Sequence, residues 1–109
     1  MPLAQAQAYL KNLPTDITQA KKQTEKAKQD KMMREIMRQE YVGIFEGHIQ
    51  TLMRTRAGIE TAVAEERVTA DELKAAKEAV GSFRVDRDAF TKALDVYAQS
   101  TAKTKGATS

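Results

Sequence analysis

The sequence predicts an all-α, elongated protein in the form of a helical hairpin or bundle. Apolar residues recur every three or four positions along most of the chain, and no proline follows Pro14. A length of 109 residues suits one domain, predicted over 1–100. The predicted elements are a short N-terminal helix over 3–13, a long helix over about 16–66, two short C-terminal helices over 69–81 and 86–100, and a disordered tail over 101–109.

The N-terminal helix is predicted from a short run of apolar residues at helical spacing. That run consists of Leu3, Ala6, Leu10 and Leu13. Pro14 is expected to end it, because proline disfavours the helical conformation in the residue before it. Thr15 or Asp16 then provides a side-chain cap for the next helix.

The long central helix changes character along its length. Residues 18–31 are polar all round, which predicts a segment that projects from the body of the protein. Beyond Met32, apolar residues return at the spacing of a helix-packing seam. The seam residues are Phe45, Ile49, Leu52, Arg56, Ile59 and Val63. Since this seam keeps its phase through Gly43–Gly47, a continuous or kinked helix is favoured over a break at those glycines.

Two helix starts are predicted in the C-terminal third. Thr69 and Glu72 form a capping box, in which the threonine caps and the glutamate reaches back to its N–H. Gly81 is typical of a helix end, and Asp86 is expected to cap a second helix. The tail 101–109 lacks apolar anchors, which predicts disorder.

Few residues of the chain are suited to catalysis. There is no cysteine, and the single histidine, His48, has only Ile44 and Leu52 as its neighbours at four residues, so a structural role is favoured. No phosphate-binding loop, histidine metal motif or nucleophile elbow is present. We therefore expect no enzyme activity, catalytic residues, metal, cofactor or small-molecule substrate.

The central helix carries two different surfaces. At 100° per residue, Gly43, Gly47 and Gly58 fall on one strip, named here the small-residue face, opposite a strip of large apolar residues, the bulky face. A helix with two packing surfaces needs neighbours on both sides, which favours a protein partner or a homo-oligomer. The residues predicted to contact protein are Met33, Met37, Tyr41, Phe45, Ile49, Leu52, Ile59 and Val63, with Gly43, Gly47 and Gly58.

The most basic part of the chain, residues 21–38, suggests an alternative. Its seven Lys/Arg and three acids carry enough positive charge to contact phosphates. No aromatic residue lies there to stack on bases, and a solvated surface of mixed charge explains the pattern as well. The polyanion contacts of this alternative, a nucleic-acid-associated protein, are Lys21, Lys22, Lys26, Lys28, Lys31, Arg34 and Arg38.

The longest mainly apolar stretch, 32–53, is interrupted by charges, so no membrane span is predicted. The start of the chain lacks the basic flank and apolar run of a signal peptide. These features predict a cytoplasmic protein, or a virion component in a viral setting, and the small size suits a bacterial or phage source. The predicted function is a non-enzymatic helical interaction or assembly protein: a structural component, adaptor or small regulatory binder.

Overall fold

Three long helices joined by two short turns make up the computed structural model of the chain. They are α1 (Pro2–Gln29), α2 (Glu35–Ala64) and α3 (Ala70–Thr108). The structure describes the backbone of residues 2–108 and the side chains of residues 3–99. Within that backbone range no strand occurs, so the all-α prediction is confirmed.

The bundle is elongated. It measures 65 × 20 × 18 Å, and its radius of gyration of 17.7 Å exceeds the roughly 13 Å of a compact domain of this length. The short turns make α2 antiparallel to its two neighbours, and α1 therefore runs parallel to α3.

Helix α1 continues through Pro14, so the prediction that this proline ends a helix at residue 13 is wrong. Proline removes one backbone N–H and costs a helix about 3 kcal/mol. Packing on both sides outweighs that cost, because Leu13 and Ile17 are both buried against the other helices. Thr18 donates a 2.9 Å hydrogen bond from its hydroxyl to the Pro14 carbonyl oxygen.

The second half of α1 packs against the bundle through small side chains, which corrects the expectation that residues 18–31 project from the body. Ala20, Thr24 and Ala27 are all buried. Small side chains let the two backbones approach closely, and α1 and α2 make the most extensive close backbone contact of the three helix pairs. With Ala6 and Leu13, the buried residues of α1 recur every seven positions.

The chain breaks between α1 and α2 at residues 30–34, so the single helix predicted over about 16–66 is wrong. The Asp30 carboxylate accepts a 2.7 Å hydrogen bond from the Met33 backbone N–H. A side chain that binds nearby backbone in this way competes with helical hydrogen bonds. Met33 is 4% exposed and fastens the turn to the core.

Helix α2 passes through Gly43 and Gly47 without interruption, as the phase of the apolar seam predicts. Its end is closed by a Schellman motif: the Arg67 N–H bonds to the Ala62 carbonyl at 2.9 Å, and the Glu66 N–H to that of Val63 at 3.1 Å. Glu66 takes the left-handed conformation that this motif requires, with φ 55°.

Helix α3 begins at the predicted capping box, which is confirmed. The Thr69 N–H donates to Glu72 Oε1 at 3.0 Å, and the Glu72 N–H to the Thr69 hydroxyl at 3.2 Å.

Beyond that start, α3 runs unbroken through Gly81 and Asp86, so the two short helices predicted over 69–81 and 86–100 are wrong. Buried residues on both sides of Gly81, among them Ala76 and Phe83, hold one continuous helix together. The predicted disorder of 101–109 falls on residues whose side chains lie outside the described ones and stays a prediction.

Candidate functional site: the two faces of α2

The bulky face of α2 lies inside the bundle. Phe45 and Leu52 have no exposed surface and Ile59 is 2% exposed. The other large residues predicted to contact protein also join this core: Met33 is buried, and Met37, Tyr41, Ile49 and Val63 are partly buried against it. Their helix-to-helix contacts are thus made within the chain itself.

Aromatic rings join α2 to α3 at the centre of this core. Phe45 lies 5.2 Å from Phe90 and 6.3 Å from Phe83, measured between ring centroids, and both contacts are edge to face. Tyr41 lies 5.0 Å from Phe90. Pairs in these geometries add roughly 0.5–1.5 kcal/mol each beyond burial alone. The α2–α3 contact is therefore the aromatic one of the bundle.

His48 lies on the α3 side of α2 and pairs with Asp86. Its Nε2–H donates to Asp86 Oδ2 at 2.6 Å, and its ring meets the Phe83 ring edge to face at 5.7 Å. The His48 side chain is 12% exposed. The partner comes from another helix, so spacing within α2 gives no signal for it. The pair joins α2 to α3. The expectation that His48 has no neighbour able to orient its ring is therefore wrong, because Asp86 supplies a carboxylate from α3.

The contact between α1 and α3 is polar. Tyr9, Asp16 and Gln23 follow one another at seven-residue spacing along α1, and Arg84 Nη2 of α3 lies 3.6 Å from Asp16 Oδ1. Asp16 Oδ2 and Gln23 Oε1 are buried and have no hydrogen-bond partner among the described residues. Buried oxygens without a hydrogen-bond partner lower the stability of a fold.

The small-residue face of α2 is exposed, and its ends border the neighbouring helices: Gly43 lines a shallow groove with Lys28 of α1, and Gly58 lines one with Glu72 and Ala75 of α3. Gly43, Gly47 and Gly58 are exposed, and a Cβ added at any of them would meet no atom within 4 Å. Nearby, Ile36 is 74% exposed and Ile44 is 40% exposed. We name this exposed strip the outer face of α2; it comprises Ile36, Glu40, Gly43, Ile44, Gly47, Thr51, Arg54 and Gly58.

The outer face of α2 holds two charged residues, Glu40 and Arg54, among its eight. Other exposed charges of α2, including Glu46 and Glu60, lie to the side of this strip. A helix surface that faces water is usually charged or polar, whereas this strip also presents Ile36 and Ile44.

The predicted polyanion contacts are spread along the second half of α1 and around the α1–α2 turn, and Lys21 lies beside Arg56 and Glu60 of α2. Lys21, Lys22, Lys26, Lys28, Lys31 and Arg34 are exposed. Lys28 lies 3.7 Å from Glu25. Arg38 is partly buried instead, because its guanidinium donates to the Asp30 carbonyl at 3.2 Å and lies 3.8 Å from Glu35. Arg38 therefore supports the turn.

Among the described residues, no three or more histidine or carboxylate side chains are grouped as metal ligands would be. None of the helices in that part of the chain has the length and apolar character needed to cross a membrane.

The fold defines an elongated three-helix bundle, and its exposed surface offers the outer face of α2 as the candidate functional site. No protein-family model, curated protein or solved structure matches the chain.

Proposed function

We propose that this protein is a non-enzymatic interaction or assembly protein that binds another protein through the outer face of α2. One observation carries the proposal: this exposed helix face combines the large apolar side chains of Ile36 and Ile44 with three glycines. Ile36 and Ile44 present apolar surface to water, and their burial against a partner would contribute favourable free energy.

The three glycines support close approach by a partner backbone. A glycine in an exposed helix costs about 1 kcal/mol relative to alanine. Within the described part of the chain, no glycine has a positive φ, and no side chain crowds the outer face at Gly43, Gly47 or Gly58. Folding alone therefore gives no reason for glycine at these positions. A second helix packed on this face would give one, because missing side chains let helix axes come closer together.

The polar groups of the chain support a non-enzymatic role. The single imidazole, that of His48, is committed to Asp86 and is almost buried between two helices. A general acid or base must reach a substrate proton within hydrogen-bond distance, and the Nε2 atom of His48 is already bonded to Asp86. The proposal thus assigns His48 to the stability of the bundle.

Polyanion binding is the second candidate. It is favoured by five exposed basic side chains without a carboxylate within 4 Å among the described residues: Lys21, Lys22, Lys26, Lys31 and Arg34. Such binding would weaken steeply with added salt, because each phosphate contact releases a counterion. Binding of a DNA duplex or an RNA single strand at low salt tests it, and no binding at low salt rules it out.

A photo-crosslinking amino acid placed on α2 tests the main proposal. At Gln50, an exposed position beside the outer face, we expect covalent adducts with protein in an extract of the source cells. The matched control is Val85, which is 67% exposed on α3. Adducts from Gln50 but not from Val85 support the outer face as the binding surface. No adducts from Gln50, or equal amounts from both positions, contradict the proposal.

A further inference from the structure

The outer face of α2 has the same residue spacing in both directions from Gly47. Apart from Ile44, whose counterpart is Gln50 beside the face, it contains Gly43, Glu40 and Ile36 before Gly47 and Thr51, Arg54 and Gly58 after it. Outward from Gly47, the steps on each side are four, three and four residues. These seven residues are all exposed. Their positions are therefore symmetric about Gly47, which is the condition for packing against a copy of the same face in the opposite direction.

Antiparallel packing about Gly47 brings complementary residues together. In such a pair, residues whose numbers add up to 94 lie opposite each other. Glu40 of one copy then faces Arg54 of its partner, and the symmetry makes this ion pair twice. Ile36 faces Gly58, so a large apolar side chain meets a position with no side chain. Gly47 lies on the two-fold axis, where two backbones can come closest.

The two charged residues are available for contacts between copies. Among the described residues, neither Glu40 nor Arg54 belongs to an ion pair within the chain. They lie fourteen residues apart, which is about 21 Å along a helix, so one cannot reach the other in the same copy. Opposite charges at equal distances from the centre attract only when a second copy is reversed.

We propose that the partner on the outer face of α2 is a second copy of this chain, packed antiparallel with Gly47 on the two-fold axis. The inference rests on the proposed function and specifies its partner. It has the closed symmetry of most homodimers, in which one patch contacts itself. A single helix pair buries less than the roughly 1,200 Å² of a small specific interface. The dimer is accordingly weak and forms at high concentration.

Cysteine crosslinking tests the geometry directly, since the chain has no cysteine of its own. Disulfides form between cysteines whose Cα atoms lie about 4.4–6.8 Å apart. With a mild oxidant and protein at about 1 mM, a weak dimer is populated, and Gly47→Cys should form covalent dimers rapidly. Gly81→Cys is the matched control, because Gly81 is an exposed helical glycine on α3. Equal rates for the two variants would overturn the proposal.

A second pair of variants fixes the direction of packing. Ile36→Cys alone should not form dimers, because its copies would be about 33 Å apart in the antiparallel arrangement. A mixture of Ile36→Cys and Gly58→Cys should form a crosslinked heterodimer. Crosslinking of Ile36→Cys alone at the rate of the mixture would show parallel packing and overturn the proposal.

Exchanging the two charges tests the ion pairs. Glu40→Arg and Arg54→Glu should each weaken dimerisation about tenfold at low salt, because each places like charges opposite each other twice. The double variant should restore the dimer to within about threefold of the original affinity. Sedimentation equilibrium measures the dissociation constants. Failure of the double variant to recover would contradict this register.

The outcome for self-association is separable from that for the proposed function. Purified protein that stays monomeric at about 1 mM overturns the homodimer. If Gln50 nevertheless forms adducts with a different protein, the outer face remains the binding surface with another partner. Absence of both overturns both.

Discussion

The two faces of α2 differ in what covers them, since one is buried by the other helices and the other is exposed to solvent. On the bulky face, Phe45, Leu52 and Ile59 recur every seven residues and are buried by α1 and α3. On the outer face, Gly43 and Gly47 leave the backbone uncovered. The comparison shows that helical periodicity identifies a packing surface without identifying its partner. The chain itself covers one face, and the proposal assigns the other to a second molecule.

The largest effect is expected on the bulky face. Leu52→Asp places a charge where the side chain has no exposed surface, and a buried unpaired charge costs more than a small domain can lose. The variant should fail to fold, with loss of helical circular dichroism at 25 °C. Gln50→Asp, on an exposed position of the same helix, should fold normally. If Leu52→Asp also folds normally, the assignment of this face to the core is wrong.

Phe45→Ala should lower the free energy of unfolding by about 3–5 kcal/mol, because it removes a buried ring and its contacts with Phe83 and Phe90. Urea denaturation followed by circular dichroism measures the change. Val85→Ala is the control, since Val85 is 67% exposed and should change stability by less than about 0.5 kcal/mol. Similar losses of unfolding free energy in both variants would contradict the assignment of Phe45 to the core and Val85 to the surface.

His48→Ala tests how much a partly buried polar side chain at the edge of the bulky face contributes to stability. Loss of the hydrogen bond to Asp86 should cost about 1–3 kcal/mol. In a double-mutant cycle with Asp86→Ala, the two losses should not add, since each variant removes the same bond. Additive losses of unfolding free energy would show that the interaction between His48 and Asp86 contributes nothing to stability.

The smallest effect, and of opposite sign, is expected on the outer face. Gly58→Ala should stabilise the monomer by roughly 0.5–1 kcal/mol, because alanine favours the helix and its Cβ meets no neighbour in the chain. Thermal unfolding at low protein concentration measures the gain. A loss of stability there would reveal a contact that crowds this face within the monomer.

Part of the fold could be predicted because its signals are local. The capping box at Thr69 acts within four residues, and the phase of the apolar seam correctly predicted a continuous helix through Gly43 and Gly47. Large apolar residues also gave the seam of α2. The pattern of α2 alone predicted the strip of glycines and the surroundings of His48. It could not predict the hydrogen bond between His48 and Asp86, because Asp86 is 38 residues away.

Other parts of the fold were missed because small residues carried the pattern. Ala20, Thr24 and Ala27 extend the apolar spacing of the first residues beyond Pro14, but alanine and threonine do not stand out among lysines. Where that spacing requires apolar residues next, the sequence has Lys31 and Arg34. This interruption is the sequence signal for the turn at 30–34.

Gly81 was predicted to end a helix because the apolar residues before it and after it were assigned to two separate helices. Ala76, Phe83 and Phe90 share one seven-residue spacing across it. Packing over that length outweighs the cost of one glycine, which is about 1 kcal/mol.

The seven-residue spacing shared by all three helices limits which insertions and deletions the bundle can accept without loss of its core. Removal of seven residues from every helix would shorten it by about 10 Å and leave each remaining side chain facing its present neighbours. Removal of one residue from one helix would turn everything beyond it by 100° and expose the core. A change in the length of this bundle that preserves its core must therefore add or remove whole heptads.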